Sequence, residues 1–381
     1  MNEKIYLDNA SSTNMRIEVK NKIINFLNKE NIVNPSSIHS LGIKSKTFIE
    51  KSRILVSNII NADPSEIFFT SSGTESNNLI ILSSVINFGI KRIVTSPLEH
   101  VSILNTIYFL KKKYNITIEM VKIKKNSDID LQNLEYLLSK KKLKTLVSLM
   151  SINNEIGNIL RIEDVGNICK KYNSFYHSDM IQSIGHYKLN VKKLYIHFIS
   201  ASAHKFYGPH GIGFIFIKKN INLKSIFFGG KQENNLRPGI ENIIGIIGLS
   251  KALILSYKNL KLEKKKIEKL KYYTLLKLKK EISDIYFNGF PFDFKKSSYS
   301  IINFSFPIKK YLHELIEHKF DLYGICISRG SACNNKKSHV IKFLHHNKKK
   351  ENFFTLRISL GIFNKKKDID FFLEVLKKII L

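Results

Sequence analysis

The chain has 381 residues, of which 43% are apolar and 11% aromatic, enough to bury one large core and a smaller second one. Its formal charge of +31, from 62 basic and 31 acidic residues, is typical of proteins that bind nucleic acid or another anionic surface. The lysines are spread along the whole chain together with Ile and Asn, not gathered in a basic tail. We therefore attribute the charge to compositional bias and expect no dedicated nucleic-acid partner.

The N-terminus and the cysteine content indicate a cytoplasmic protein. The first residues lead directly into a strand pattern, without the apolar core of a signal peptide or the Arg/Ser-rich pattern of a transit peptide. We find no apolar run as long as a membrane span and expect no membrane partner. Three cysteines in a chain of this length do not make a disulfide framework, so a reducing compartment is expected.

Strands and helices alternate through the first two thirds of the chain. A short N-terminal strand precedes helical patterns at 15–28 and 43–60, which flank a turn cluster at 34–39. Strand patterns follow at 66–70, 92–96, 117–121, 144–150, 175–179, 197–200 and 212–217, and helical patterns at 73–88, 101–112, 131–138 and 162–172. This alternation predicts an α/β fold with a mainly parallel sheet covered on both faces, and ligands at the carboxyl ends of its strands.

A long helical pattern at 240–281 connects this region to a smaller α+β unit. That unit has strand patterns at 300–306, 325–328 and 354–359 and helical patterns at 312–319 and 369–380. We predict a large domain formed by residues 15–255, and a small domain formed by residues 1–14 and 256–381.

Lys205 lies between two strand patterns, in the stretch Phe198-Ile-Ser-Ala-Ser-Ala-His-Lys205, before a Gly/Pro turn at 208–211. Its small neighbours leave room around the amine, and a desolvated lysine with a lowered pKa can form a Schiff base. The alternative is an ordinary surface lysine in a hairpin, as most lysines of so basic a chain must be.

The stretch Ser71-Ser-Gly-Thr-Glu-Ser76 follows a strand and opens a helix. Backbone N–H groups at Gly73 and Thr74 could hold a phosphate there, helped by the positive end of the helix dipole. An ordinary Ser/Thr helix cap explains the same residues equally well.

Polar residues follow three other strands. Asp179 ends one strand, with Gln182 three positions later, and could pair with a pyridinium nitrogen or cap the following helix. His100 could stack on a flat ring or merely start a helix. Asn154 could bind a ring oxygen or a substrate, or occupy a turn. Together with Lys205 and the phosphate candidate, these residues fit one cofactor, pyridoxal phosphate.

With these residues, the chain resembles the cysteine desulfurases of the class-V aminotransferase family, which are fold-type-I pyridoxal-phosphate enzymes. The matching stretches occur in the family's order over nearly the whole chain: Tyr6-Leu-Asp-Asn-Ala10, Asn34-Pro-Ser-Ser-Ile-His39, Phe69-Thr-Ser-Ser-Gly-Thr-Glu-Ser-Asn77, Glu99-His100, Asn153-Asn-Glu-Ile-Gly157, His177-Ser-Asp-Met-Ile-Gln182, Ser202-Ala-His-Lys-Phe-Tyr-Gly-Pro209, Arg237-Pro-Gly239, Ser328-Arg-Gly-Ser-Ala-Cys333 and Arg357-Ile-Ser-Leu-Gly361. The resemblance implies a seven-stranded, mainly parallel sheet between helices, a smaller α+β domain, and a homodimer.

The resemblance also implies a role for each candidate residue. Lys205 would carry pyridoxal 5'-phosphate as a Schiff base, and no metal is expected. The other cofactor-binding residues would be Gly73, Thr74, Ser202 and His204 at the phosphate, Asp179 at the ring nitrogen, Gln182 at the ring hydroxyl, His100 stacked on the ring, and Asn154. Asn154 and Arg357 would bind the carboxylate of the substrate, a task that suits the bidentate guanidinium group.

The three cysteines differ in their sequence surroundings. Cys169 lies in a helical pattern and Cys326 in an apolar strand pattern, so both are expected to be inert core thiols. Cys333 follows Gly330-Ser-Ala and precedes Asn334-Asn-Lys-Lys337, a polar and electropositive setting that favours an exposed thiolate. An incidental loop cysteine is the alternative. By the resemblance, Cys333 is catalytic together with Lys205 and His100, and takes up the sulfur as a persulfide.

The implied reaction converts L-cysteine to L-alanine and a persulfide on Cys333. The sulfur would pass to an iron–sulfur scaffold protein or another acceptor, for cluster assembly, for tRNA thiolation, or for both. Two residues depart from the family pattern. Arg329 stands where Ser or Thr is usual, and Ile240 replaces a Thr that lends its hydroxyl to the phosphate of the partner subunit. We expect a weaker phosphate contact across the dimer.

Two alternative functions remain open from the sequence. One is a selenocysteine lyase or a relative acting on cysteine sulfinate, which turnover of cysteine and selenocysteine would distinguish. The other is a basic RNA-associated protein that kept the fold and lost catalysis. The presence of Lys205, Asp179, His100 and Cys333 together argues against the second alternative.

Overall fold

A computed structural model of the chain describes residues 4–140, 142–329, 338–345 and 353–380. The strands in these ranges are β1 (Ile5–Tyr6), β2 (Ile67–Thr70), β3 (Arg92–Thr95), β4 (Thr117–Met120), β5 (Thr145–Ser148), β6 (Phe175–Asp179), β7 (Phe198–Ser202), β8 (Gly213–Ile217), β9 (Tyr286–Phe287), β10 (Ile301–Pro307), β11 (Ile325–Cys326) and β12 (Phe353–Ser359). The α-helices are α1 (Ile17–Lys29), α2 (Ser40–Ile60), α3 (Gly73–Ile86), α4 (Val101–Tyr114), α5 (Leu131–Lys140), α6 (Ile162–Lys171), α7 (Ile243–Glu281), α8 (Ile316–Leu322), α9 (His339–Leu344) and α10 (Lys366–Ile380).

The predicted seven-stranded sheet is confirmed, with strand order β2-β8-β7-β6-β5-β3-β4. Only β8 runs antiparallel to its neighbours in this sheet, and the remaining pairs are parallel. Successive residues of the strands belong to different apolar clusters. Leu146 and Phe198 lie in one cluster, and Val147 and Ile199 in the other. Burial of both faces explains why these strands are nearly continuous apolar runs in the sequence.

A second core surrounds the smaller antiparallel sheet, ordered β12-β10-β9, and the parallel pair β1–β11. Phe304, Leu356 and Phe372 are completely buried there. Helix α7 contributes to both cores: Leu253 packs in the large one and Leu275 in the small one. Two separate cores agree with an α/β unit and an α+β unit, while the domain boundaries at residues 15 and 255 stay a prediction.

The expectation that no segment has the dimensions of a membrane span needs correction. By length and composition alone, α7 is long and apolar enough to cross a membrane. The core helix of a soluble protein or a signal sequence meets the same two criteria. Of its most apolar 18-residue window, 56% is buried inside the protein, where α7 packs along α1 and α2. Its apolar residues are therefore largely used in the core.

One helix of the small unit is shifted relative to its prediction at 312–319. The structure has a 3-10 turn at Lys310–Leu312 and an α-helix only at Ile316–Leu322. Leu312, Ile316 and Phe320 are buried at a spacing of four residues, which continues past the predicted end. Strand β9 was not predicted, because two residues are too few to show a period.

Candidate active site

One pocket of about 790 Å³ lies beyond the carboxyl ends of β6 and β7. Its lining contains every predicted site residue that the structure describes: Gly73, Thr74, His100, Asn154, Asp179, Gln182, Ser202, His204, Lys205 and Arg357. The remaining candidate, Cys333, lies outside the described residues. Ligand pockets commonly have this position on a parallel sheet.

Lys205 closes a short 3-10 turn, Ala203–Lys205, between β7 and β8. Its Nζ donates to the carbonyl oxygens of Ala10 at 2.7 Å and Ser11 at 2.5 Å. Gln182 Nε2 also donates to the Ala10 carbonyl, at 2.8 Å. The N-terminal segment therefore forms a wall of the pocket. The sequence prediction missed Ala10 and Ser11, although the small, polar run after the first strand falls within a family motif.

Gly73 begins α3 at the phosphate end of the pocket. The Ser72 side chain accepts a hydrogen bond from the Glu75 backbone N–H, so the expected helix cap and the pocket wall are the same residues. A Cβ at Gly73 would lie 2.2 Å from Ile181 Cδ1 and 3.5 Å from Ser202 Cβ. Any larger residue at Gly73 would therefore require the Ile181 side chain, which also lines the pocket, to move.

Ser202 and His204 face the same end of the pocket from the end of β7. Ser202 Oγ lies 3.0 Å from His204 Nδ1, and the ring of His204 stacks on that of His210. Burial, with the charges of Lys205 and His210, lowers the pKa of His204 to about 3. His204 is therefore neutral at physiological pH and offers one ring N–H group to a ligand.

A hydrogen-bonded chain links Asp179 to His100. Asn77 Nδ2 donates to Asp179 Oδ2 at 2.8 Å and to Ser102 Oγ at 3.0 Å. The Ser102 Oγ atom in turn lies 2.8 Å from His100 Nδ1. The Ile181 N–H donates to the other oxygen of Asp179. Burial lowers the pKa of His100, as do the Lys205 and His339 charges, and the Asp179 carboxylate opposes this effect. The sequence prediction gave no role to Asn77, the last residue of a family motif, or to Ser102, which lies two residues after His100.

Arg357 lines the pocket from β12, where the substrate carboxylate is expected, and is 1% exposed. Its Nη1 donates to the Asn154 carbonyl and its Nη2 to Asp8 Oδ1, both at 2.8 Å. Its buried Nε has no hydrogen-bond partner among the described residues. An unsatisfied buried N–H on a guanidinium group that lines a pocket is suited to an anionic ligand.

The two described cysteines are both free thiols. Cys169 is completely buried as predicted, and burial raises the pKa of its thiol. Cys326 is only partly buried, because its strand β11 is two residues long and pairs only with β1. Burial also raises the pKa of the Cys326 thiol, so both groups are poor nucleophiles.

Comparison with known proteins matches residues 5–372 to the aminotransferase class-V family. The chain belongs to this family, among the cysteine desulfurases. The cysteine desulfurase IscS of Dictyoglomus turgidum is 37% identical over an alignment that covers 100% of this chain and 95% of that protein. A solved structure of a NifS-like protein superposes with a TM-score of 0.89 at 31% identity, and 99% of each chain is covered. The structure of SspA in complex with cysteine has a TM-score of 0.79 at 27% identity, covering 95% of this chain and 100% of that one.

The family is dependent on pyridoxal phosphate, and the pocket of this desulfurase fits that cofactor. The N-terminus of α3 at Gly73, which lines the pocket, suits the phosphate. The Asp179 carboxylate is oriented by two N–H donors and suits the ring nitrogen. The Lys205 amine lies between these two ends and suits the aldehyde. We conclude that the predicted enzyme class and cofactor are confirmed.

Proposed function

We propose that this enzyme transfers the sulfur of L-cysteine to Cys333, releasing L-alanine. The substrate C–S bond breaks, a bond forms between the substrate sulfur and the Cys333 sulfur, and the proton of the Cys333 thiol ends on alanine. The observation that carries this assignment is the composition of the pocket. It combines an amine (Lys205), a buried carboxylate (Asp179) and a carboxylate-binding arginine (Arg357) at its wall.

The ends of the pocket suit an amino acid bound next to the cofactor. When bound, pyridoxal phosphate acts as an electron sink that makes the Cα–H bond of an amino acid acidic. Arg357 and Asn154 would hold the substrate carboxylate, and the uncommitted Nε of Arg357 supports that role. The Lys205 amine would remove the Cα proton, as a base within reach of it. His100, neutral because burial lowers its pKa, would stack on the ring.

The anchors on either side of Cys333 support its role as the nucleophile. Ser328 pairs with Arg357 through backbone hydrogen bonds. Ser338 donates to the Glu155 carboxylate, directly after Asn154 in the chain. Cys333 is five residues from each anchor. Both anchors therefore contact a residue that lines the pocket or one that directly follows it, which supports the assignment of Cys333.

The substitution Cys333→Ser tests this assignment. We expect the purified variant to keep the absorbance band of the bound cofactor and to lose sulfide release from L-cysteine. Cys326→Ser is the matched control and should retain both properties, because Cys326 is partly buried with a raised thiol pKa. Sulfide release that persists in Cys333→Ser would refute the role of Cys333. The selenocysteine alternative is tested with the same two variants by comparing turnover of cysteine and selenocysteine.

We further propose a homodimer, supported by an exposed apolar surface. Ile38, Phe228 and Ile240 are among the most exposed large apolar side chains, and they line depressions along α2 and the segment 227–240. Apolar surfaces of this kind usually mark an interface. Sedimentation velocity of the wild type and of Phe228→Asp tests the proposal. A wild-type monomer would contradict it.

The proposed acceptor of the sulfur is an iron–sulfur scaffold protein, or the tRNA thiolation system, in the cytoplasm. Two free thiols among the described residues are compatible with a reducing compartment. Neither nucleic acid nor a membrane is proposed as a partner. Incubation with labelled cysteine and a candidate scaffold protein would show whether the label moves from Cys333 to the scaffold.

A further inference from the structure

Strand β2 is the edge strand of the large sheet, and side chains replace the missing neighbour on its outer edge. β2 pairs only with β8. On the other side, the Ile67 carbonyl accepts from Arg53 Nη1 at 2.6 Å, and the Phe69 N–H donates to Glu233 Oε2 at 2.6 Å. Two residues further, the Ser71 N–H donates to Glu75 Oε2 at 2.8 Å. The outer edge of β2 is therefore hydrogen-bonded by the Arg53–Glu233 ion pair, and the residue after its end by the Glu75 carboxylate.

The residue that supplies the first carboxylate has an unfavourable backbone conformation. Glu233, Asn234 and Asn235 are consecutive residues in the left-handed region, with φ of 47°, 53° and 64°. Asn tolerates this region, whereas for Glu it is unfavourable. Strained backbone is retained where the surroundings fix it, and it indicates a constraint on the residue's position.

The carboxylate of Glu233 accounts for that constraint. Its two oxygens accept from Arg53 Nη2 at 2.7 Å and Nη1 at 2.9 Å, and the side chain is almost completely buried. Arg53 lies on α2, so the pair connects α2, the left-handed turn and β2. Removing one partner of a buried pair leaves an uncompensated charge, so the turn cannot move away from β2 without a large penalty.

The same segment contacts the phosphate loop a second time. Arg237 Nε donates to Glu75 Oε1 at 2.9 Å. The other oxygen of Glu75 accepts from both the N–H and the hydroxyl of Ser71. Although burial raises it, the hydrogen bonds from Arg237 and Ser71 hold the pKa of Glu75 below its usual value. Glu75 directly follows the pocket residues Ser72, Gly73 and Thr74.

We propose that Glu233 and Arg237 are positioning residues for the cofactor's phosphate. Glu233 fixes the end of β2, and Arg237, through Glu75, fixes the first turn of α3. Together they hold the N–H groups at Gly73 and Thr74 in a geometry that receives a phosphate without rearrangement. Neither residue lines the pocket that contains Lys205. The inference rests on the proposed function in one respect, the binding of phosphate at Gly73 and Thr74.

Binding of two probes to the apoenzyme separates positioning from general stability. Pyridoxal 5'-phosphate carries the phosphate group, and pyridoxal lacks it. We would measure both dissociation constants by fluorescence titration of wild type, Glu233→Gln and Arg237→Met. Glu374→Gln serves as the control, because it removes an exposed ion pair with Lys378 far from β2. Arg237 is partly exposed, so Arg237→Met keeps the test available if Glu233→Gln fails to fold.

We expect the dissociation constant of pyridoxal 5'-phosphate to rise about tenfold in Glu233→Gln, and by a smaller factor in Arg237→Met. The constant for pyridoxal should stay within about twofold of wild type in both, and Glu374→Gln should change neither. Equal losses for the two probes would mean a merely structural role and would overturn the inference, as would unchanged constants. A wild type that does not prefer the phosphorylated probe would instead refute the proposed phosphate loop.

Discussion

The two ends of the pocket are built in different ways. At the phosphate end, hydrogen bonds of the pocket-lining residues themselves are local: Ser72 caps Glu75 three residues away, and Ser202 contacts His204 two residues away. Long-range contacts reach this end only from outside the pocket, through Glu233 and Arg237. At the substrate end, Arg357 contacts Asn154 across 203 positions and Asp8 across 349. The pocket wall at the phosphate end is therefore formed by two strand ends and is supported from outside, whereas the substrate end exists only when β12, the N-terminal segment and the Asn154 turn are assembled.

The two ends also differ in the charged side chains that support them from outside the pocket. Carboxylates support the phosphate end from outside the pocket, where Glu233 and Glu75 bind backbone N–H groups. Behind the substrate end lies a buried lysine: Lys271 Nζ donates to the Ser298 carbonyl at 2.6 Å and Ser297 Oγ at 2.9 Å. The Ser298 N–H donates to the Gly157 carbonyl in the turn that carries Asn154. Damage to one end should therefore leave the other end intact.

The substitution Arg357→Gln should have the largest effect, confined to the substrate end. It leaves the Asp8 carboxylate without its partner and should lower the free energy of unfolding by about 3–5 kcal/mol, measured by urea denaturation. The KM for L-cysteine should rise, while the dissociation constant of the cofactor stays near wild type. Asp8→Asn combined with Arg357→Gln should recover part of the stability. A large loss of cofactor affinity in Arg357→Gln would contradict the independence of the two ends.

Lys271→Met should change the pH dependence of stability. Burial lowers the pKa of Lys271 to about 7, against about 10.4 in an unfolded chain. Because the folded protein must bury a charged lysine at low pH, the loss of stability has its full size below pH 7. This loss decreases as the pH rises from 7 towards 10. The stability of wild type relative to Lys271→Met should therefore increase by about 2 kcal/mol between pH 7 and pH 9. A flat difference in urea denaturation over this range would mean that Lys271 titrates normally.

Asn77→Ala should have the smallest effect and act at the ring, between the two ends. The change removes the donor to Asp179 Oδ2 and the contact with Ser102. Loss of one charge-assisted hydrogen bond should weaken cofactor binding by about tenfold, measured by equilibrium dialysis. Asn78→Ala is the neighbouring control, since Asn78 is half-buried on the same helix and contacts the Thr74 carbonyl and Thr106, not Asp179. An equal loss in both variants would show that α3, and not Asp179, is affected.

The sequence predicted the local end of the pocket better than the assembled end. Lys205, Gly73 and Asp179 follow strands, and the apolar runs of those strands are visible because both sheet faces are buried. The order of the strands brings the three residues together at one edge of the sheet. Arg357 was found only through the family motif, since nothing local distinguishes it from the many other basic residues of the chain.

Long-range contacts account for what the sequence did not show. Asp8 could not be identified as the partner of Arg357, because its position depends on a bridge between Asp8 and Ser359. The edge of β2 was also unpredictable. A left-handed turn containing Glu233 has no signature in residue type, since Glu rarely adopts that conformation. Both cases depend on tertiary structure that overrides local preference.

A single-turnover reaction tests the central claim most directly. The holoenzyme is mixed with L-cysteine in the absence of reductant and sulfur acceptor, and both the released amino acid and the mass of each cysteine-containing peptide are measured. The account predicts L-alanine in equal amount to enzyme subunits, and one additional sulfur atom on the peptide of Cys333 alone. Alanine formed without sulfur on that peptide, or sulfur found on Cys326 or Cys169 instead, would contradict it.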